Sequence, residues 1–135
     1  MAFSVSMIFC STNMAEIQAA NFGLQWCMNN NFNNIILELD SKIVVEMIKG
    51  SSKPSWKLLY WITSIRDKMA HLNAEVSHCF RKANMTADAL SKFGAIEDSS
   101  IIFTNTNELP RATRGSYIMD KTGLPNLRIR SHKRV

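Results

Sequence analysis

The sequence predicts an α/β domain. Three observations carry that prediction. Short apolar runs of strand length alternate with longer stretches at helical spacing. Serine and asparagine residues suited to helix caps stand just before several of those stretches. The apolar run Ile35 to Leu39 is followed, after two helical segments, by a second strand-like run, Ala74 to Phe80. A connection through helices suits parallel strands.

Taken in order, residues 2–9 place Phe3, Val5, Met7 and Phe9 at every second position, the period of a strand. Ser11-Thr12-Asn13 offers caps, and a helix is expected from about Thr12 to Met28 with Met14, Ile17, Ala20, Leu24 and Cys27 on one face. The asparagine-rich stretch 29–34 breaks it. Ile35-Ile36-Leu37-Glu38-Leu39 is short and nearly all apolar, as a strand buried on both faces is. Asp40-Ser41 ends the strand and starts a short helix striped by Ile43, Val44, Met47 and Ile48. After the loop Gly50-Ser51-Ser52-Lys53-Pro54, Ser55 can cap a helix whose Leu58, Ile62, Ile65, Met69 and Leu72 recur at spacings of 4, 3, 4 and 3. Ala74 to Phe80 alternates as a strand. Asn84 can cap a last helix, with Ala87, Leu90 and Phe93 inward and Gly94 as its stop.

At 135 residues the chain has the length of one domain, and 46% hydrophobic residues is a globular composition. The net charge of +5 permits a polyanionic partner without demanding one. The charge is uneven: Lys121 to Val135 holds five basic residues and no acid, together with Gly123 and Pro125. Residues 1–95 are therefore expected to form the folded domain and 96–135 a poorly ordered basic tail, to which Ile101, Ile102 and Phe103 can add a short strand or a docking contact. No apolar run approaches the roughly 18 residues that span a bilayer. The amino terminus has no basic region and no small-residue cleavage site. Cys10, Cys27 and Cys79 are far apart and none lies in a CxxC pair, which argues against a disulfide scaffold and a structural zinc site. The expected location is intracellular, nuclear or cytoplasmic, not secreted and not in a membrane.

Three acids sit where such an architecture gathers ligands. Asp40 lies at the carboxyl end of a strand, Glu16 one turn into the first helix and Asp88 one turn into the last. Carboxylates brought together raise one another's pKa unless cations neutralise them. Mg2+ suits such a cluster because it prefers carboxylate and water oxygens. Two such ions about 4 Å apart can activate a water and stabilise the leaving oxygen of a phosphodiester. His78 can help to move a proton. Each residue also has a plainer role open to it. Asn13-x-x-Glu16 has the spacing of a capping box, Asp40 can be an ordinary helix cap, Asp88 can simply favour the helix dipole, and His78 can be a polar strand residue.

Read together, Ser11-Thr12-Asn13-Met14-Ala15-Glu16, then Leu37-Glu38-Leu39-Asp40-Ser41, then His78 followed by Arg81-Lys82-Ala83-Asn84-Met85-Thr86-Ala87-Asp88-Ala89-Leu90-Ser91-Lys92 resemble the ribonuclease H family. The nearest likeness is to the plant RNase H-like domain of retrotransposon-derived proteins. The motifs come in the family's order and near its spacing over about residues 2–95. The resemblance implies an RNase H-like fold, a mixed sheet flanked by helices, and Mg2+-dependent hydrolysis of the RNA strand of an RNA–DNA hybrid. It places metal-binding carboxylates at Glu16, Asp40 and Asp88, a mobile histidine at His78 and a nucleic-acid contact at Asn13. The family's site has a fourth carboxylate, on an opening strand resembling F-D-G-A-S with a glycine-rich turn after it, and no such segment is present in this chain. The expectation is therefore a truncated sheet and impaired hydrolysis. A non-catalytic nucleic-acid-binding module and a non-functional retroelement fragment are the alternatives.

Overall fold

The computed structural model describes residues 2–4, 11–80, 84–96 and 100–122. The elements run β1 (Ala2–Ser4), α1 (Thr12–Asn29), β2 (Ile36–Leu39), α2 (Lys42–Lys49), α3 (Trp56–Leu72), β3 (Glu75–His78), α4 (Met85–Ile96), β4 (Ile101–Phe103), a 3-10 turn (Thr106–Glu108) and α5 (Arg111–Thr122). This is the mixed α/β architecture, small sheets flanked by helices, that the sequence predicts. The chain divides into two compact units, residues 7–79 and residues 1–6 with 80–135.

In the unit of residues 7–79, β2 and β3 pair in parallel, with Leu37 opposite Val76 and Leu39 opposite His78. The crossover that parallel pairing requires is made by α2 and α3. Helix α1 starts where expected because Ser11 Oγ accepts the Met14 N–H at 3.2 Å. Helix α2 starts on Ser41, whose hydroxyl accepts the Val44 N–H at 3.4 Å, so the residue before it, Asp40, is released from capping. Gly50 ends α2 at φ +87°, a backbone region that a Cβ disfavours. Asn73 ends α3 at φ +50°, and its amide donates to Asn34 Oδ1 at 2.6 Å. Arg66 of α3 donates to the Ile48 carbonyl at 3.0 Å and to the Met47 carbonyl, satisfying the end of α2.

The apolar stripes meet in one core. Ile17 and Leu24 of α1, Val44 of α2, and Ile62, Ile65 and Leu72 of α3 are all buried, beside Leu39 and Val76 of the sheet. In α2 the buried set is Val44, Val45, Met47 and Ile48, while Ile43 of the expected stripe is exposed. Strand β2 also departs from expectation. Leu39 is buried, but Ile36 on the opposite face is 68% exposed and Glu38 is exposed with it. Helices cover one face of the pair, and among the described residues β3 is the only strand beside β2.

In the other unit, β1 and β4 pair antiparallel, Ala2 opposite Phe103 and Ser4 opposite Ile101. Ser4 is buried and its hydroxyl donates to the Leu90 carbonyl of α4 at 3.2 Å. Leu90, Phe103 and Leu109 form a small core, joined by Phe93 and Tyr117. The 3-10 turn is a complete capping box. Asn105 Oδ1 accepts the Asn107 and Glu108 N–H groups, and the Glu108 carboxylate accepts the Asn105 N–H at 3.4 Å and, beyond the box, the Thr104 N–H at 2.8 Å. Pro110 opens α5, its carbonyl accepting the N–H groups of Thr113 and Arg114.

The ends of the chain compare with expectation as follows. Of the strand expected over residues 2–9, Ala2–Ser4 is a strand, and 5–9 lie outside the described residues. Helix α4 runs past Gly94 to Ile96. Ile101, Ile102 and Phe103 do add a short strand, β4, which pairs with β1, and Leu109 adds to the small core. Residues 123–135, which hold most of the basic cluster, lie outside the described residues.

Candidate functional site

Four of the residues singled out by sequence meet at the carboxyl ends of β2 and β3. Glu16 projects from α1, half-buried, toward the corner where β2 turns into α2. Its Oε1 accepts the Ser41 N–H at 3.2 Å, and its carboxyl lies within hydrogen-bonding reach of the Asp40 side chain. The capping-box reading of Glu16 is thereby displaced. Ser11 caps the helix, and Glu16 turns to a chain segment 25 residues away. Asn13, in the first turn of the same helix, accepts from the Ser41 hydroxyl at 3.4 Å. His78, at the end of β3, places Nε2 3.2 Å from the Asp40 carbonyl oxygen, and donates to it in the tautomer that carries a proton on Nε2.

The electrostatics of this corner are those of a confined acid pair. Burial pushes the Glu16 carboxyl above its ordinary value, and the neighbouring Asp40 adds to the rise. The N–H groups of Ser41 and Asp40 pull the other way without cancelling it. Cys79 borders the same corner and donates its N–H to the Leu39 carbonyl at 2.9 Å. Its thiol is raised by burial first and by the charges of Glu38, Asp40 and Glu16 after that, which keeps it protonated rather than a nucleophile.

Ser41 and Cys79 are the residues of this corner that sequence reasoning missed. The signal for Ser41 was available in Asp-Ser before a helical stripe, since the second residue of such a pair is equally able to cap. Cys79 carried no signal, because a lone cysteine in a strand reads as a small hydrophobe.

Asp88 belongs to the other unit. It lies in the first turn of α4, where the helix dipole favours an acid, and pairs with Lys92 Nζ at 2.9 Å. Within neither unit are three or more His, Cys, Asp or Glu side chains gathered as a metal centre among the described residues. The donor set of the Glu16–Asp40 pair nevertheless fits a hard divalent cation. Two carboxylates neighbour each other, one of them at an electrostatic cost that a cation removes, and Mg2+ commonly takes one or two protein carboxylates and fills its remaining positions with water.

The profile of a family described as reverse transcriptase-like, an RNase H-like family, covers residues 3–94. No curated protein matches the chain. No helix among the described residues is long and apolar enough to cross a membrane.

Proposed function

The chain belongs to the reverse transcriptase-like family and carries an RNase H-like domain over residues 3–94, and on that premise we propose that the corner built by Glu16, Asp40, Asn13 and His78 engages nucleic acid through a divalent cation. The observation that carries the reading is the Glu16–Asp40 pair itself. Two acids held side by side, one with its pKa raised, store a demand for positive charge at the mouth of a parallel strand pair, where α/β sheets receive ligands.

In this proposal Glu16 and Asp40 hold Mg2+, and Asp88 is the third family carboxylate. When bound, the ion supplies Lewis-acid stabilisation of charge on a phosphate oxygen. The chain's own groups do the rest. The Ser41 N–H orients one oxygen of Glu16. Asn13 offers its amide N–H2 to a phosphate or sugar, since its Oδ1 is engaged by Ser41. His78 stands at the edge, exposed, where it can take or give a proton at the strand ends. The substrate class is an RNA–DNA hybrid, and the finer kinship is with the plant RNase H-like domains of retrotransposon-derived proteins. The property that this corner supports is Mg2+-dependent binding of the hybrid.

Fluorescence anisotropy with a labelled RNA–DNA hybrid tests this. Binding should strengthen on adding Mg2+, and Asp40→Asn should remove the Mg2+ dependence while leaving the salt-dependent part of the affinity. Affinity that ignores Mg2+ in both proteins would sink the proposal.

A further inference from the structure

Ser41 is where α1 meets the amino end of α2, and each of its polar groups has a separate task. Its carbonyl accepts the Val45 N–H at 3.1 Å and its hydroxyl oxygen the Val44 N–H at 3.4 Å, which starts the helix. Its N–H donates to Glu16 Oε1 at 3.2 Å, and its O–H to Asn13 Oδ1 at 3.4 Å. Asn13 and Glu16 are three residues apart and so lie on one side of α1. A single residue therefore holds an acid and an amide of another helix, the first by its backbone and the second by its side chain.

The direction of the side-chain bond matters. The Val44 N–H can only donate, so the Ser41 oxygen is the acceptor there and its proton is left for Asn13. An amide engaged at Oδ1 keeps its N–H2 for other groups. Phosphate oxygens only accept, so an amide turned this way suits a nucleic-acid backbone, and one turned over sets oxygen against oxygen. We propose that Ser41 is a positioning residue for hybrid binding, whose hydroxyl fixes Asn13 as a donor while its N–H fixes Glu16 independently. The inference rests on the proposed function, which takes Asn13 as a nucleic-acid contact.

The competing role is that Ser41 only caps α2. A cap uses the hydroxyl oxygen and has no need of its proton, whereas Asn13 needs the proton. Glycine is accepted at a cap nearly as well as serine, so Ser41→Gly removes the proton with little harm to the helix. The main-chain N–H that serves Glu16 stays in that variant. Ser41→Thr keeps both the cap and the proton.

A double-mutant cycle on the full chain, read by anisotropy of a labelled RNA–DNA hybrid in Mg2+, tests the proposal. Ser41→Gly and Asn13→Ala should each weaken binding about threefold to tenfold, the range of one hydrogen bond. The double variant should be no weaker than either single one, because both remove the same contact. Ser41→Gly should keep its Mg2+ dependence, and Ser41→Thr should restore the affinity. Losses that add in the double variant overturn the proposal, since a cap and a contact acting separately would add. So does a Ser41→Gly chain that binds like the wild type, or a Ser41→Thr chain as weak as Ser41→Gly. Nitrogen–proton correlation spectra of the free chain give a second reading. The side-chain N–H2 pair of Asn13, identified by its loss in Asn13→Ala, should shift in Ser41→Gly and return toward the wild-type position in Ser41→Thr. A wild type that binds hybrid in Mg2+, with that pair unmoved in Ser41→Gly, defeats this inference alone. A wild type that binds no hybrid defeats the proposed function and this inference with it.

Discussion

Two glutamates, one in each unit, sit in opposite electrostatic situations. Glu16 is held half-buried beside Asp40, and burial raises its pKa. Glu108 closes a capping box, and the Thr104 N–H that it accepts lowers its pKa. The cores differ in the same sense. The unit of residues 7–79 buries a continuous cluster drawn from three helices and two strands, while the other unit rests on Leu90, Phe103 and Leu109. The unit with surplus packing carries an unfavourable carboxylate, and the unit with little packing uses its carboxylate to hold a turn. That is the pattern expected when a site is carried by a scaffold stable enough to tolerate it.

The contrast can be broken by mutation. Ile62 is fully buried in the larger core, and Ile62→Ala should cost about 3 kcal/mol in urea unfolding. Leu90→Ala, in the smaller cluster, should cost about 2 kcal/mol, because its surroundings are better able to collapse. A larger loss from Leu90 than from Ile62 would reverse the ranking of the two cores. Arg66→Ala should follow at about 1.5 kcal/mol, since it removes the guanidinium donor of the Ile48 carbonyl and leaves the Met47 carbonyl with the Gly50 N–H alone.

The smallest effect sharpens the comparison most, because its sign is unusual. Glu16→Gln keeps an oxygen for the Ser41 N–H and removes the charge. At pH 7 it should stabilise the chain slightly, since solvent screening of a half-exposed group keeps the effect small. The unfolded chain releases the Glu16 proton at the ordinary value of 4.5, whereas the folded chain holds it to a higher pH. The stability contributed by the protonated form is thus complete below 4.5 and is lost as pH rises through the raised value. The gain from Glu16→Gln should accordingly vanish at acid pH. Glu108 behaves in reverse: its contribution is present above 4.5 and disappears as pH falls through its lowered value, so Glu108→Gln should destabilise at pH 7. Thermal melts of both variants from pH 3 to 7 give the two slopes.

Much of the larger unit was legible in the sequence because its signals are local. Ser11 before Met14 and Ile17 announces α1, and the 4, 3, 4, 3 seam from Leu58 to Leu72 announces α3. The parallel pairing of β2 with β3 follows from the helices between them. What stayed hidden is long-range. An apolar run such as Ile35 to Leu39 cannot say whether its second face will be covered, and Ile36 is in fact exposed. The contact between Glu16 and Ser41 joins segments whose closeness only the packing of α1 decides. In the smaller unit α5 escaped because Thr113, rather than an aliphatic residue, fills its most buried position, so no apolar period is visible. The usable signals there were turn chemistry, Asn105-x-x-Glu108 followed by Pro110.

Calorimetric titration of the full chain with Mg2+ tests most directly whether the acid pair at the end of β2 is a cation site. Weak one-site binding is predicted for the wild type, absent in both Asp40→Asn and Glu16→Gln, and retained in Glu75→Gln, an exposed acid on β3 away from the corner. Equal Mg2+ affinity in the wild type and Asp40→Asn would contradict it.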